Sequence, residues 1–102
     1  MIFGNGKSAN PSGNQVFWND GTIQNRSGNQ IFENGSITNT RDNTMWTKNG
    51  TVNHSGNTYW APDGTHNLSS NGVLYGPGGQ TWTGVKSNKD AQNIISHNLN
   101  QE

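Results

Sequence analysis

Three histidines, His54, His66 and His97, are the only side chains in the 102 residues that titrate near neutral pH, and with the chain's serines and carboxylates they are its candidate catalytic groups. Their spacings, twelve and then thirty-one residues, match neither a metal-ligand pair nor a nucleophile–base pair (54 to 66, 66 to 97). A second candidate lies at the start, where Phe3-Gly4-Asn5-Gly6-Lys7-Ser8 ends in the Gly-Lys-Ser of a phosphate loop. That loop needs a glycine five positions before its Gly-Lys pair and a helix after it. Counting back from Gly6 reaches Met1, and Pro11 stands where the helix would begin. A third candidate, Asp20-Gly21-Thr22 and Asp63-Gly64-Thr65, has Trp18 and Ala61 where an aspartate nucleophile would precede it. Aspartate or asparagine followed by glycine is what a tight turn requires, because both tolerate positive φ. No catalytic, metal or cofactor-binding residues are therefore assigned, and the chain is expected not to be an enzyme.

Composition narrows the classes further. Six basic and six acidic residues give no net charge, and the basic ones are scattered singly, so nucleic acid is not an expected partner. No run of 18 apolar residues predicts a membrane span. No charged-then-apolar leader is visible, which predicts a cytoplasmic or virion-associated protein. Cysteine is absent, which excludes disulfides and thiolate metal sites. The Asn-x-Ser/Thr matches at Asn25, Asn34, Asn49, Asn53 and Asn67 are those a chain with 18 Asn produces by chance.

What positions the remaining side chains is a repeat. Gly13-Asn14-Gln15-Val16-Phe17-Trp18-Asn19-Asp20-Gly21-Thr22-Ile23 is followed by Gly28-Asn29-Gln30-Ile31-Phe32-Glu33-Asn34-Gly35-Ser36-Ile37. Copies follow from Asp42 and Gly56, a degenerate one runs from Asn71, and Ile2 to Asn10 is a truncated first copy whose turn is the Gly-Asn-Gly-Lys-Ser above. The period is 14 residues, once 15. Two adjacent apolar columns recur: Ile2, Val16, Ile31, Met45, Tyr59, Val73, and Phe3, Phe17, Phe32, Trp46, Trp60, Leu74. Ile23, Ile37, Val52 and His66 form a third. Neighbours on a strand point to opposite sides, so the strand is apolar on both.

The pattern predicts an all-β protein. About six 14-residue repeats stacked as a β-solenoid would align Asn14, Asn29, Asn43 and Asn57, and again Asn10, Asn25, Asn39, Asn53 and Asn67, into hydrogen-bonded ladders. An antiparallel hairpin meander is the alternative, pairing Phe32 with Ile37 across the Asn34-Gly35 turn. Residues 1–85 are expected to form the β-repeat domain. Residues 86–102 are expected to form a helical cap or tail, because Ser87 and Asp90 suit a capping box and Ala91, Ile94, Ile95 and Leu99 share one helical side. That helix is expected to cover an open end of the β-structure, or to drive oligomerisation.

The copies resemble tandem repeats of the form Gly-Asn-x-x-Phe-x-x-Asp-Gly-Thr in uncharacterised bacterial proteins, Gly13 to Thr22 and Gly56 to Thr65 matching best. The resemblance covers residues 2 to about 83 and implies no activity. A looser similarity to the Asn-rich ice-binding β-rolls of grasses rests on coil length and Asn-rich turns and would imply an ice-binding protein; this chain departs from them in that a single column, Thr22, Ser36, Thr51 and Thr65, accompanies bulky aromatics. Asn71 to Trp82 is faintly similar to mannose-binding lectins of monocots.

Too little apolar surface is present to offset chain entropy easily, so self-association or a protein partner is expected to cover an aromatic column. Trp18, Trp46, Tyr59, Trp60 and Tyr75 are the candidate binding residues, because flat rings beside amides suit carbohydrate or protein contact. The expected function is a non-catalytic structural or binding module, of bacterial or phage origin. A phage-encoded inhibitor of a host protein is the alternative.

Overall fold

A computed structural model describes residues 2–4, 7–33, 35–41 and 43–100. Asn5 and Gly6 of the first turn, Asn34 and Asp42 lie outside the described residues. Twelve strands run in chain order: β1 (Ile2–Gly4), β2 (Lys7–Ser12), β3 (Gln15–Trp18), β4 (Ile23–Ser27), β5 (Gln30–Glu33) and β6 (Ser36–Arg41), then β7 (Thr44–Thr47), β8 (Gly50–Ser55), β9 (Thr58–Ala61), β10 (Gly64–Leu68), β11 (Val73–Tyr75) and β12 (Thr81–Thr83). Among the described residues one α-helix, α1 (Asn88–Asn100), follows. The all-β class with a short C-terminal helix is as expected.

The arrangement corrects the expected β-solenoid. Each strand pairs antiparallel with its neighbours in sequence, and β1 returns to β12 through Phe3 and Thr83, closing a barrel. This is the hairpin meander, rolled up. The Asn columns serve it differently from stacked ladders. Asn14, Asn29, Asn43 and Asn57 sit in the turns, where their carbonyls accept N–H bonds from Arg26, Thr40, His54 and Leu68 at 2.7–2.8 Å, tying each turn to the next hairpin. Asn25, Asn39 and Asn67 stand on the outer wall, where their amide oxygens accept from Gln15, Gln30 and Thr58.

Register fixes which side chains enter the barrel. Trp46 lies opposite Thr51 on β8, whereas Trp60 lies opposite Asn53, so each hairpin advances by two residues. A two-residue stagger per pair of strands tilts them by about 35°. Twelve strands at that tilt enclose a cylinder about 22 Å across between backbones, wide enough for one helix with its side chains. The overall extents are 29 × 25 × 24 Å.

That helix is inside. Ala91, Asn93, Ile94, Ile95, Ser96, His97 and Leu99 are all buried, which takes in its polar side as well as its apolar one. It is bonded along its length to the wall: Tyr59 Oη donates to Asn88 (2.6 Å), Gln24 Nε2 to the Asn93 carbonyl (2.9 Å), Ser96 shares a bond with Thr38 (2.8 Å), and Asn49 Nδ2 donates to the Leu99 carbonyl. The expectation of a helix covering one end is thereby corrected. A barrel of this width would be hollow without it, and Val16, Met45, Val52, Tyr59, Leu74 and Trp82 pack with the helix residues into one core. Its start is as expected, with the Asp90 amide bonded to Ser87 Oγ (3.3 Å) and Asp90 Oδ2 accepting from the Lys86 amide (3.2 Å).

Two columns shift by one residue. Leu74, fully buried, takes the inward place expected of Val73, and Tyr75 the outward place expected of Leu74. Ile23 and Ile37 face out opposite Phe17 and Phe32, whereas Val52 and His66 face in opposite Met45 and Tyr59. The true inward set is Gln24, Thr38, Val52 and His66, fourteen residues apart. At one rim the turns interlock through prolines. Gly64 has φ +133°, and a Cβ there would lie 2.7 Å from Pro77; Gly50 repeats this against Pro62 at 2.5 Å.

Candidate functional site

The five candidate binding residues divide between the two surfaces of the wall. Tyr59 is fully buried and Trp18 5% exposed, both in the lumen, while Trp46, Trp60 and Tyr75 are 44%, 48% and 46% exposed on the outside. Tyr59 and Trp60 are consecutive on one strand, and that adjacency alone puts them on opposite faces.

Outside, the register builds the same three-residue group five times. Each has an aromatic ring flanked on its neighbouring strands by an asparagine and by an isoleucine or threonine. The groups are Asn10–Phe17–Ile23, Asn25–Phe32–Ile37, Asn39–Trp46–Thr51, Asn53–Trp60–Thr65 and Asn67–Tyr75–Thr81. With six hairpins around the barrel, successive groups are turned by about 60°. The side from β3 to β6 is aliphatic and Phe-rich. The side from β7 to β11 carries Trp, Tyr, Thr and Asn.

Inside, one mouth of the barrel gathers the titratable groups around the C-terminal end of α1. His97 Nδ1 lies 2.6 Å from Glu33 Oε2 and Nε2 lies 3.0 Å from Asp20 Oδ2. Both ring nitrogens are engaged by carboxyl groups, so the ring bridges two strand turns. Trp18 stacks on the ring at 4.0 Å and 17°, and its indole N–H donates to Gln24 Oε1 (2.8 Å), whose amide nitrogen donates to Glu33 Oε1 (2.9 Å). Burial raises the Asp20 pKa, but the Thr22 amide and hydroxyl and His97 outweigh it, leaving the carboxyl below its usual 3.8. This arrangement ties helix to wall. It leaves His97 no free nitrogen with which to serve a substrate.

The sequence pointed to His97, and to Asp20 only as a turn residue, but not to Glu33 or Gln24. Glu33 carried a signal: two residues after inward Ile31, it occupies the place that Trp18 holds after Val16.

The other two histidines stand apart. His54, on β8, stacks on Tyr59 at 4.3 Å and 6°. Tyr59 is buried deeply enough to push its phenol up to about 12. His66, fully buried beside Trp82 at 6.0 Å, has no hydrogen bond on either ring nitrogen, against the expectation that a polar group in the core finds a partner. Burial lowers its pKa below 6.5, although Asp63 and the Gly64 backbone oppose the shift.

Among the described residues no group of three or more His, Cys, Asp or Glu is placed to hold a metal ion. A cleft of about 640 Å³ opens at the opposite mouth around the start of α1, between Leu68, Ser70, Gly72, Val85 and Ser87. It holds no buried titratable group, so the chemistry-bearing side chains and the cleft lie at different ends. Among the described residues no helix is long and apolar enough to cross a membrane.

No family model, no curated protein and no solved structure matches the chain.

Proposed function

We propose that the protein is a non-catalytic binding module whose outer wall, centred on Trp46, Trp60 and Tyr75, engages another protein. The observation that carries this is the half-exposure of three large rings on alternate strands of one side, each flanked by an asparagine and a threonine. A folded chain gains nothing by leaving such rings in water, and rings of this kind dominate the energy of protein interfaces. The wall is convex, and about 60° separates one ring from the next. A flat sugar chain laid on it would stack on one ring at a time, whereas a protein surface can follow the curve across all three. Inside, the histidine best placed for chemistry is held at both nitrogens by carboxylates, which supports a role without catalysis.

Because Trp46 and Trp60 lie outside the core, alanine at both positions is expected to leave the barrel folded, each change costing less than about 1 kcal/mol. Near-ultraviolet circular dichroism and a denaturant midpoint measure this. The wild-type chain and the double variant are then compared as baits in a bacterial lysate and as probes on a glycan array. A protein retained by the wild type and lost by the double variant supports the proposal. A glycan signal lost in the same way assigns carbohydrate instead, and a partner held equally by both removes the rings from the account.

A further inference from the structure

We infer that His66, Asp63 and Gln80 form a binding site for a single divalent transition-metal cation at the C-terminal mouth of the barrel. The inward residues at the same register in neighbouring repeats show what is unusual here. Gln24 bonds the Asn93 carbonyl, Thr38 bonds Ser96, and Val52 is apolar, so each either finds the helix or needs nothing. His66 is polar and fully buried, and neither Nδ1 nor Nε2 has a partner at hydrogen-bonding geometry, the Gly64 backbone and Asp63 being its polar neighbours. Its Nε2 lies 3.9 Å from Asp63 Oδ2, whose other oxygen, Oδ1, is also buried without a partner.

A third unpartnered atom borders the same space beside Gly76. The amide oxygen of Gln80 is buried and unbonded. A methyl placed on Gly76 would lie 3.1 Å from His66 Cδ2 and 3.3 Å from Gln80 Oε1, so both approach the same point. That methyl would also lie 2.8 Å from the Trp82 ring, which accounts for glycine at position 76. Asn98 Nδ2 holds Asp63 Oδ2 at 3.1 Å and so fixes the carboxylate from the helix side.

A buried imidazole with both nitrogens unpaired, beside two buried oxygens without donors, is costly unless something positive or protic joins them. The surroundings favour a cation. Asp20, Glu33 and Asp63 all cluster near the last turn of α1, where the helix dipole is negative, and His97 is already committed to two of them. One imidazole with one carboxylate and one amide oxygen suits zinc, cobalt or nickel, with water completing the shell, better than calcium or magnesium.

The test is titration of the full chain with zinc, cobalt, nickel, magnesium and calcium salts by calorimetry, with the His66 ring followed by ¹H–¹⁵N NMR. Saturation at one zinc, cobalt or nickel per chain is expected, with a shifted His66 ring nitrogen and a rise of several degrees in the melting temperature. His66→Gln and Asp63→Asn are expected to weaken binding at least tenfold, while His54→Gln, which alters a ring on the far side of Tyr59, leaves it unchanged. No saturable binding, binding that survives His66→Gln, or saturation with the His66 resonances unmoved would each overturn the inference. The wild-type NMR result decides it even where a variant fails to fold.

Discussion

Ending the chain after Lys86 is expected to abolish folding altogether, leaving a disordered or aggregating product by circular dichroism. Repeat architectures often tolerate loss of a terminal segment, because each unit leans only on its neighbours. Here the terminal segment is the core. Ala91, Ile94, Ile95 and Leu99 are each no more than 1% exposed, and burying three large aliphatic side chains stabilises by roughly 5–9 kcal/mol. That is comparable with the whole stability of a domain this size, about 5–15 kcal/mol. The loss is larger than the helix's own share, because the inward faces of Met45, Tyr59 and Leu74 would then line an empty lumen. A truncated chain with native strand content and a cooperative transition would show that the barrel stands without its helix.

The second large effect is expected from His97→Leu. Leucine fits a buried helical position by size and propensity, and on a solvent-facing tail the change would be nearly neutral. In the lumen it leaves Glu33, itself 1% exposed, without the imidazole that faces it at 2.6 Å. Removing one partner of a buried hydrogen bond costs about 1–3 kcal/mol, and more where the group left behind is charged, against near neutrality when both are replaced together. The denaturant midpoint of His97→Leu should therefore fall steeply, and Glu33→Gln in the same chain should restore a large part of the loss, since glutamine keeps a bond to Gln24. Equal midpoints for His97→Leu and the wild type would remove the tie from the account. So would a double variant no better than the single one.

These two expectations also mark where sequence reading stopped. The strands, their length and the fourteen-residue period were plain, because valine, isoleucine and aromatic residues alternate between glycine-containing turns. Stacked coils and rolled hairpins place asparagines at the same intervals, so the spacing of Asn14, Asn29, Asn43 and Asn57 could not separate them. Only backbone pairing does that. The slip at Val73 and Leu74 comes from the turn around Ser69–Gly72, whose length no column reveals.

The helix misled for a physical reason. Asn93, Ser96 and His97 have the composition of a solvated face, yet they are buried against Gln24, Thr38 and Glu33, which in a strand of unknown direction read as outward residues. A polar lumen hides a polar helix. Of the binding candidates, Trp46, Trp60 and Tyr75 are outside and Trp18 and Tyr59 inside, a split that strict alternation from Tyr59 to Trp60 already required. The expected self-association had its motive in too small a core. The helix inside the barrel supplies much of what was missing, so oligomerisation is not needed to account for the fold.

Amide hydrogen exchange, read residue by residue by NMR, tests the threaded helix most directly. Protection of Ile94, Ile95, Ser96, His97 and Leu99 should match that of the slowest strand amides, because these helix amides can open only when the barrel does. Helix amides that exchange at the rate of a free peptide, while the strands stay protected, would contradict a barrel built around its own C-terminal segment.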